Sequence, residues 1–347
     1  SFYFFDEHPD EYVAWFGIRS LPKFDLSSPE LRRRLVAGKE SVVAHWLQPP
    51  YELDGWRIDV ANMTGRHGKH DVNQDVARDI RATMADVGAD LWLVAEHCHD
   101  ATADLDGDGW HGTMAYNWFT RPVWCWLRGD DPPGLLGFPS PPPRLGGREV
   151  ASSMRLLSAG VPWAAFASSM TLLDSHDTAR FRTVAGDVGR HIVGLALLLT
   201  YPGVPMVFAG DEVGVEGSDS DQGRKPFPWD DNGWDRRLLD ACTRLIALRR
   251  ESAALQSGGL RWVHAGDDSL TLIRESPHER MLVHLARAAH PAVQVSAAAL
   301  RVHDPVEPLF GTELLVPKGA DLVLPSNGPA AHIWRLPPPS PLEGVIV

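Results

Sequence analysis

Three acidic residues close three apolar runs of the chain. Asp59 ends Gly55-Trp-Arg-Ile-Asp, Glu96 ends Leu91-Trp-Leu-Val-Ala-Glu, and Asp177 follows Leu172-Leu-Asp-Ser-His. A charge at the end of a core strand must meet water, a partner or a ligand. A single strand-end Asp commonly caps the helix that follows, but three acids in matching contexts are hard to explain that way. In a parallel α/β barrel, catalytic groups sit at the carboxyl ends of such strands. Two of these carboxylates are therefore placed to flank one scissile bond. Arg57 precedes Asp59 by two residues, so on a strand both side chains share a face, and a guanidinium there favours the ionised carboxylate.

The elements that must position these groups alternate in type. Ser28 caps a helix with Pro29 in its first turn and Glu30 behind it, predicted to run to about Trp46. An amphipathic helix over Asn73–Val87 carries Val76, Ile80 and Met84 on one stripe. Strands are predicted at Leu91–Glu96, Trp110–Met114, Thr171–Asp177 and Val204–Ala209, the last almost wholly apolar as a buried parallel strand should be. Helices are predicted at 117–127, 188–199 and 235–250. Asp130–Gly147, rich in Pro and Gly, reads as irregular loop. Beyond about Ala254 the pattern changes to short alternating runs, such as Leu270–Arg274 and Met281–Leu285, which predict an antiparallel β-sandwich. The tail Pro337–Val347 holds too much Pro to fold and reads as a loose strap.

Composition excludes several classes. The chain has 347 residues, enough for one large and one smaller domain, and a net charge of -12 that would repel a polyanion such as nucleic acid. No apolar run reaches the roughly 18 residues of a membrane span. The three cysteines, Cys98, Cys125 and Cys242, are too few and scattered for a disulfide framework or a zinc site. Most of the 13 tryptophans read as core. Asp104-Leu-Asp-Gly-Asp-Gly alternates acids as a calcium loop does, making Asp104, Asp106 and Asp108 a weak metal candidate. Position twelve is Ala115 rather than Glu, and a solvated turn is the competing reading. No cofactor is required by this reading, and calcium is at most a structural ion.

Across most of its length the sequence resembles the α-amylase family of retaining glycoside hydrolases. Gly55-Trp-Arg-Ile-Asp-Val-Ala-Asn is similar to the motif of the fourth barrel strand, Val94-Ala-Glu to the fifth, and Leu172-Leu-Asp-Ser-His-Asp-Thr-Ala-Arg to the seventh. Phe208-Ala-Gly-Asp-Glu-Val-Gly, with Asp219–Asp230, Arg224 and Trp229, looks like the eighth strand and its loop. Leu21-Pro-Lys-Phe-Asp resembles the loop motif of the neopullulanase, cyclomaltodextrinase and maltogenic amylase branch, with Phe24 and Asp25 where that branch more often has Leu and Asn. The implied fold is a (β/α)8 TIM barrel, of which this chain holds strands 4–8, followed by an all-β sandwich. The implied domains are 1–50 (the end of an inserted loop domain and the third barrel helix), 51–253 (barrel), 254–338 (sandwich) and 339–347 (tail). Nothing before Asp59 is similar to the family's earliest motif. An amino-terminal fragment or a second chain is therefore expected to complete the barrel, because open strand edges expose unpaired backbone groups.

The resemblance implies retaining hydrolysis of α-1,4, and in some members α-1,6, glucosidic bonds of malto-oligosaccharides, cyclodextrins or pullulan. It makes Asp59 the nucleophile, Glu96 the acid/base and Asp177 the stabiliser of the charged sugar ring. Arg57, His176, Arg180 and Arg224 become substrate-binding residues. Retaining chemistry needs its two carboxyl groups about 5 to 5.5 Å apart, and Glu96 must keep its proton until substrate arrives. A glucosyltransferase or isomerase of the trehalose-synthase kind would use the same three acids. A catalytically inactive amylase-like scaffold subunit would not need them. A neutral oligosaccharide is the expected partner, with a homodimer as a further expectation. The cytoplasm is the favoured location, residues upstream of Ser1 being needed to judge export.

Overall fold

The computed structural model describes residues 1–134 and 141–338, which form two compact units. The first comprises Ser1–Met114 with Gly160–Ser169, and the second Ala115–Ala159 with Met170 onward.

In the first unit, Gly55–Ile58, Trp92–Ala95 and Gly112–Thr113 form a parallel sheet in sequence order. The register pairs Gly55 with Trp92, Arg57 with Val94 and Ile58 with Ala95. Only glycine can start this strand, because a Cβ on Gly55 would lie 1.9 Å from the Trp92 carbonyl oxygen. The helix Asn73–Val87 buries Val76, Ile80 and Met84, the stripe expected from its periodicity, and packs on the helix Val42–Leu47 with its buried Val43, Ala44 and Leu47. The single helix expected from Ser28 to about Trp46 is in fact two, Pro29–Leu35 and Val42–Leu47. Gly38, at φ +86°, breaks the chain between them, and Ser41 caps the second through its hydroxyl to the Ala44 N–H. The strand expected over Trp110–Met114 shrinks to Gly112–Thr113. Ahead of the sheet, a short hairpin (Phe5–Glu7 with Glu11–Tyr12) and bridges from Tyr3 to Phe24 and Ala14 to Pro22 fold residues 1–26 into a ladder.

In the second unit, Met170–Leu172 and Val204–Met206 pair in parallel. The helix Val188–Thr200 joins them, and its Val193, Leu195, Leu197 and Leu198 are all buried, as an all-round apolar helix must be. Each such side chain contributes about 2 kcal/mol of burial. The helix expected at 117–127 starts as a π-turn, Tyr116–Thr120, and becomes α-helical over Arg121–Leu127. A helix at Gly147–Ser158, which the sequence reading left out, follows the irregular loop, of which residues 135–140 lie outside the described residues.

The antiparallel sandwich is present as expected. Five strands run in the order Gly259–Ala265, Ser269–Glu275, Arg280–Ala286, Ala330–Leu336 and Pro308–Phe310, facing a smaller sheet of Val293–Ser296, Asp321–Leu324 and Pro317–Lys318. Ile273, Leu282, Leu315, Leu322 and Trp334 fill the space between them. Two buried arginines bind this unit together. Arg249 donates to the carbonyls of Leu199, Tyr201 and Gly203 at 3.0, 3.1 and 2.6 Å. Arg274, from the sandwich, donates to those of Thr200 and Gly258 at 2.5 and 2.7 Å. Both guanidinium groups thus meet the carboxyl end of the helix Val188–Thr200, where its dipole favours a cation. The expected tail, residues 339–347, lies outside the described residues.

Candidate active site

The register decides where two of the three acids stand. With Ile58 opposite Ala95, Asp59 and Glu96 are the next residues on adjacent parallel strands, and the Glu96 N–H donates to the Ile58 carbonyl at 3.0 Å. Arg57 then holds both carboxylates on one guanidinium. Its Nη1 lies 2.5 Å from Asp59 Oδ1 and its Nη2 lies 2.6 Å from Glu96 Oε1. The two acids nevertheless have opposite environments. The Asp59 side chain is 76% exposed, whereas that of Glu96 is only 10% exposed.

Glu96 is fixed from a second side by a feature the sequence reading missed. The backbone N–H of Val60 donates to Glu96 Oε2 at 2.7 Å. Val60 adopts φ +44°, ψ +43°, a left-handed conformation that is rare for a β-branched residue. Such strain costs of the order of 1–3 kcal/mol and persists only where surrounding structure imposes it. Here it turns the chain immediately after Asp59 and aims an N–H at the neighbouring acid. No side-chain pattern signals it.

Asp59 and Val60 also line a cleft of about 910 Å³. Its other wall is the amino-terminal ladder, including Trp15, Phe16, Leu21, Lys23 and Phe24. The Leu21–Asp25 motif therefore stands over the same space as Asp59. Lys23 donates to the Met63 carbonyl at 3.1 Å across this cleft, and burial lowers its pKa from the usual lysine range.

The proposed calcium loop holds no such site. Asp104 is buried, with Arg66 on both of its oxygens at 3.0 and 2.7 Å and His97 Nε2 at 2.6 Å from Oδ2. Burial alone would raise the Asp104 carboxyl, but the hydrogen bonds from His97 and Arg66 outweigh it and hold the group well below the usual carboxylate range. Asp108 is engaged by Arg78 Nε at 2.6 Å. Among the described residues no group of three or more His, Cys, Asp or Glu side chains is arranged to hold a metal ion. The spacing of alternating acids was misleading because two of the three carboxylates face arginines.

The second unit holds the third acid. Asp177 Oδ1 accepts from Arg224 Nη2 at 2.9 Å, and its Oδ2 lies 3.2 Å from His176 Nε2. Arg224 also donates through Nε to the His176 carbonyl at 2.6 Å, so one guanidinium fixes backbone and side chain of this pair. Arg180 is different. It is 2% exposed, and its guanidinium is spent on the carbonyls of Gly223, Phe208 and Ala209 and on Asp211, 3.1 Å from Nη1, while stacking 3.7 Å over the Phe208 ring. It is a buried strut between the loops of the two parallel strands, not a group open to a ligand. Beside it, Asp174 and Asp211 share a hydrogen bond, and burial raises both carboxyls above the usual carboxylate range. Asp174 Oδ2 also accepts the Phe181 N–H at 2.6 Å.

Residues 1–114 match the family model described as alpha amylase, catalytic domain. A cyclomaltodextrinase of Geobacillus thermopakistaniensis (strain MAS1) is 26% identical over 284 residues, covering 81% of this chain and 44% of its own length. A maltogenic alpha-amylase of Bacillus acidopullulyticus is 28% identical over 313 residues, covering 89% of this chain and 49% of its own length. The crystal structure of a debranching enzyme from Nostoc punctiforme has a TM-score of 0.81 at 26% identity, covering 96% of this chain and 69% of that one. The chain is thus similar to proteins of the alpha-amylase family, through residues 1–114 to the family's catalytic domain and over most of its length to these relatives. It spans about half the length of the curated relatives it matches.

The family's architecture, a (β/α) barrel with a C-terminal β domain, is therefore the fold class here. Parallel strands stand at Gly55–Ile58, Trp92–Ala95 and Gly112–Thr113 in the first unit and at Met170–Leu172 and Val204–Met206 in the second, each at a place where the sequence predicted a strand. Among the described residues no helix is long and apolar enough to cross a membrane.

Proposed function

We propose that this protein hydrolyses α-1,4 and α-1,6 glucosidic bonds with retention of anomeric configuration, acting on malto-oligosaccharides, cyclodextrins or pullulan. The observation that carries this reading is the shared guanidinium of Arg57. It brings an exposed carboxylate and a buried carboxyl together at the ends of two adjacent strands, which lie about 4.8 Å apart, a spacing suited to a retaining pair. In this reading Asp59, open to the cleft, attacks the anomeric carbon. Glu96, held by the Val60 N–H and Arg57, protonates the departing glycosidic oxygen and later takes a proton from the water that releases the covalent intermediate. Asp177, oriented by Arg224 and His176, holds sugar hydroxyls and favours the positively charged ring. The names of the relatives, cyclomaltodextrinase and maltogenic alpha-amylase, support the choice of α-glucans. A transferase would use the same acids and differ in how well water is excluded. The intact pair weighs against an inactive scaffold.

We also infer that further polypeptide supplies the remaining barrel strands. The strand Gly55–Ile58 pairs on one side only among the described residues, and the curated relatives are about twice as long.

The test compares wild-type protein with Asp59→Asn on maltoheptaose, a cyclodextrin and pullulan, following the first-formed anomer by proton NMR. The α-anomer from wild type and a loss of at least a thousandfold in Asp59→Asn are expected. Undiminished turnover in the variant, or a β-anomer as first product, would sink the assignment.

A further inference from the structure

The strained turn that follows Asp59 is held from outside. Within it, the Met63 N–H donates to the Val60 carbonyl at 2.9 Å and the Thr64 N–H to the Ala61 carbonyl at 3.2 Å. The four carbonyls after Val60 are each met by a side chain from elsewhere in the chain. Asn73 Nδ2 donates to those of Ala61 and Thr64 at 2.7 and 2.8 Å, Arg66 Nη1 to that of Asn62 at 2.9 Å, and Lys23 Nζ to that of Met63 at 3.1 Å. These bonds impose the left-handed Val60, and with it the direction of the Val60 N–H, whose acceptor is Glu96 Oε2.

Arg66 ties this turn back to the strand end that carries Glu96. Its Nη1 and Nη2 reach Asp104 Oδ2 and Oδ1 at 3.0 and 2.7 Å, and Asp104 Oδ2 lies 2.6 Å from Nε2 of His97, the residue next to Glu96. The contacts close into a ring that runs from Glu96 through His97, Asp104, Arg66, the Asn62 carbonyl and Val60 back to Glu96. Asp104 is 7% exposed and His97 2%, so their charge-assisted hydrogen bonds act in a low dielectric, where they are strong. The other carboxylate on Arg66 is Asp71, 3.0 Å from Nε, with a side chain 57% exposed. With Asp104 removed, the remaining anion on the guanidinium is this surface one, and the link to the Glu96 strand end is broken. The contact at the end of the ring is the N–H on Glu96 Oε2, while Arg57 takes Oε1. Together these two donors fix the plane of the carboxyl group.

We infer that Asp104 is a positioning residue: through Arg66 and His97 it holds the turn Val60–Thr64 in the shape that orients the Glu96 carboxyl for proton transfer. This rests on the acid/base reading of Glu96 above and adds to it a residue that touches neither the substrate nor the reacting atoms. The loss in its absence falls on proton donation rather than on sugar binding or on attack by Asp59.

The test uses two leaving groups that differ in their need for a proton. kcat and KM are measured for the parent protein, Asp104→Asn, His97→Leu and His97→Gln on maltoheptaose, whose departing sugar oxygen must be protonated, and on α-maltosyl fluoride, whose fluoride departs as an anion. On maltoheptaose, kcat/KM is expected to fall about thirtyfold in Asp104→Asn and about tenfold in His97→Leu, chiefly through kcat, and on the fluoride less than about threefold, because a hydrogen bond to a charged group is lost and proton transfer depends on it. His97→Gln, whose amide nitrogen can donate to Asp104 in place of the imidazole, is expected to stay within about threefold of the parent on both substrates. The two His97 variants decide the matter should Asp104→Asn fail to fold. Equal losses on the two substrates overturn the proposal, because they mark a distorted fold, and so does an unchanged kcat/KM on maltoheptaose in Asp104→Asn or His97→Leu. A parent inactive on both substrates overturns the α-glucan reading and this proposal with it, whereas an active parent with equal losses in the variants leaves that reading standing.

Discussion

His191 gives the fold a defined sensitivity to acid. It sits on the helix Val188–Thr200, wholly buried and edge-on to Phe181 at 5.4 Å between ring centroids, and neither ring nitrogen has a hydrogen-bond partner among the described residues. Burial lowers its pKa from the ordinary 6.5 to about 3. The folded value lies below the unfolded one, so the unfolded chain binds the proton first. The stability tied to neutral His191 is complete above pH 6.5 and drains as pH falls towards 3. At pH 5 the unfolded imidazole is mostly protonated while the folded one is not, and at 1.36 kcal/mol per pH decade the loss is about 2 kcal/mol. His191→Leu removes the proton site and two unpaired buried nitrogens. Urea unfolding of both proteins at pH 7.5 and pH 5.0 should show the variant gaining about 2 kcal/mol on wild type over that interval. His284, buried and also lowered to about 3, is common to both proteins and cancels. Parallel pH dependence, within about 0.5 kcal/mol, would refute the reasoning, because it would mean that water or a charge reaches the His191 ring.

Two further substitutions separate roles within the site and beneath it. Arg57→Lys presents one point charge where the fork spans Asp59 and Glu96, so we expect kcat to fall about a hundredfold or more with KM for maltoheptaose changed little and the circular dichroism spectrum unchanged; a fall confined to KM would contradict the shared-guanidinium reading. Asp174→Asn keeps an oxygen for the Phe181 N–H and gives Asp211 a permanent donor. Because the pair is held above the ordinary carboxylate range, its stabilisation is present at low pH and lost as pH rises through the folded value, so this variant should lose less stability than wild type as pH rises above the ordinary carboxylate range. Asp174→Leu leaves the Phe181 N–H unpaired and Asp211 with Arg180 alone, and should cost about 3 kcal/mol. Denaturant titrations over rising pH check both.

What the sequence made legible and what it hid divide along a physical line. Asp59 and Glu96 were readable because a strand's direction and its two-residue period are local properties. Once Gly55 and Trp92 are paired, the acids must come level. Val76, Ile80 and Met84 were readable for the same reason, their period being helical. Arg180 was misjudged because adjacency to a motif says nothing of where a long side chain ends, and this one runs to Asp211, 31 residues on. Asp104 stood as a weak metal candidate because alternating acids look alike whether their partner is a metal ion or a guanidinium such as Arg66. The Asp174–Asp211 pair was invisible, since only the fold brings the two carboxyls together and one proton decides whether they attract or repel. Val60 marks the same boundary from the other side. It breaks a conformational rule that sequence periodicity would enforce, and does so on the wall of the cleft that Asp59 enters.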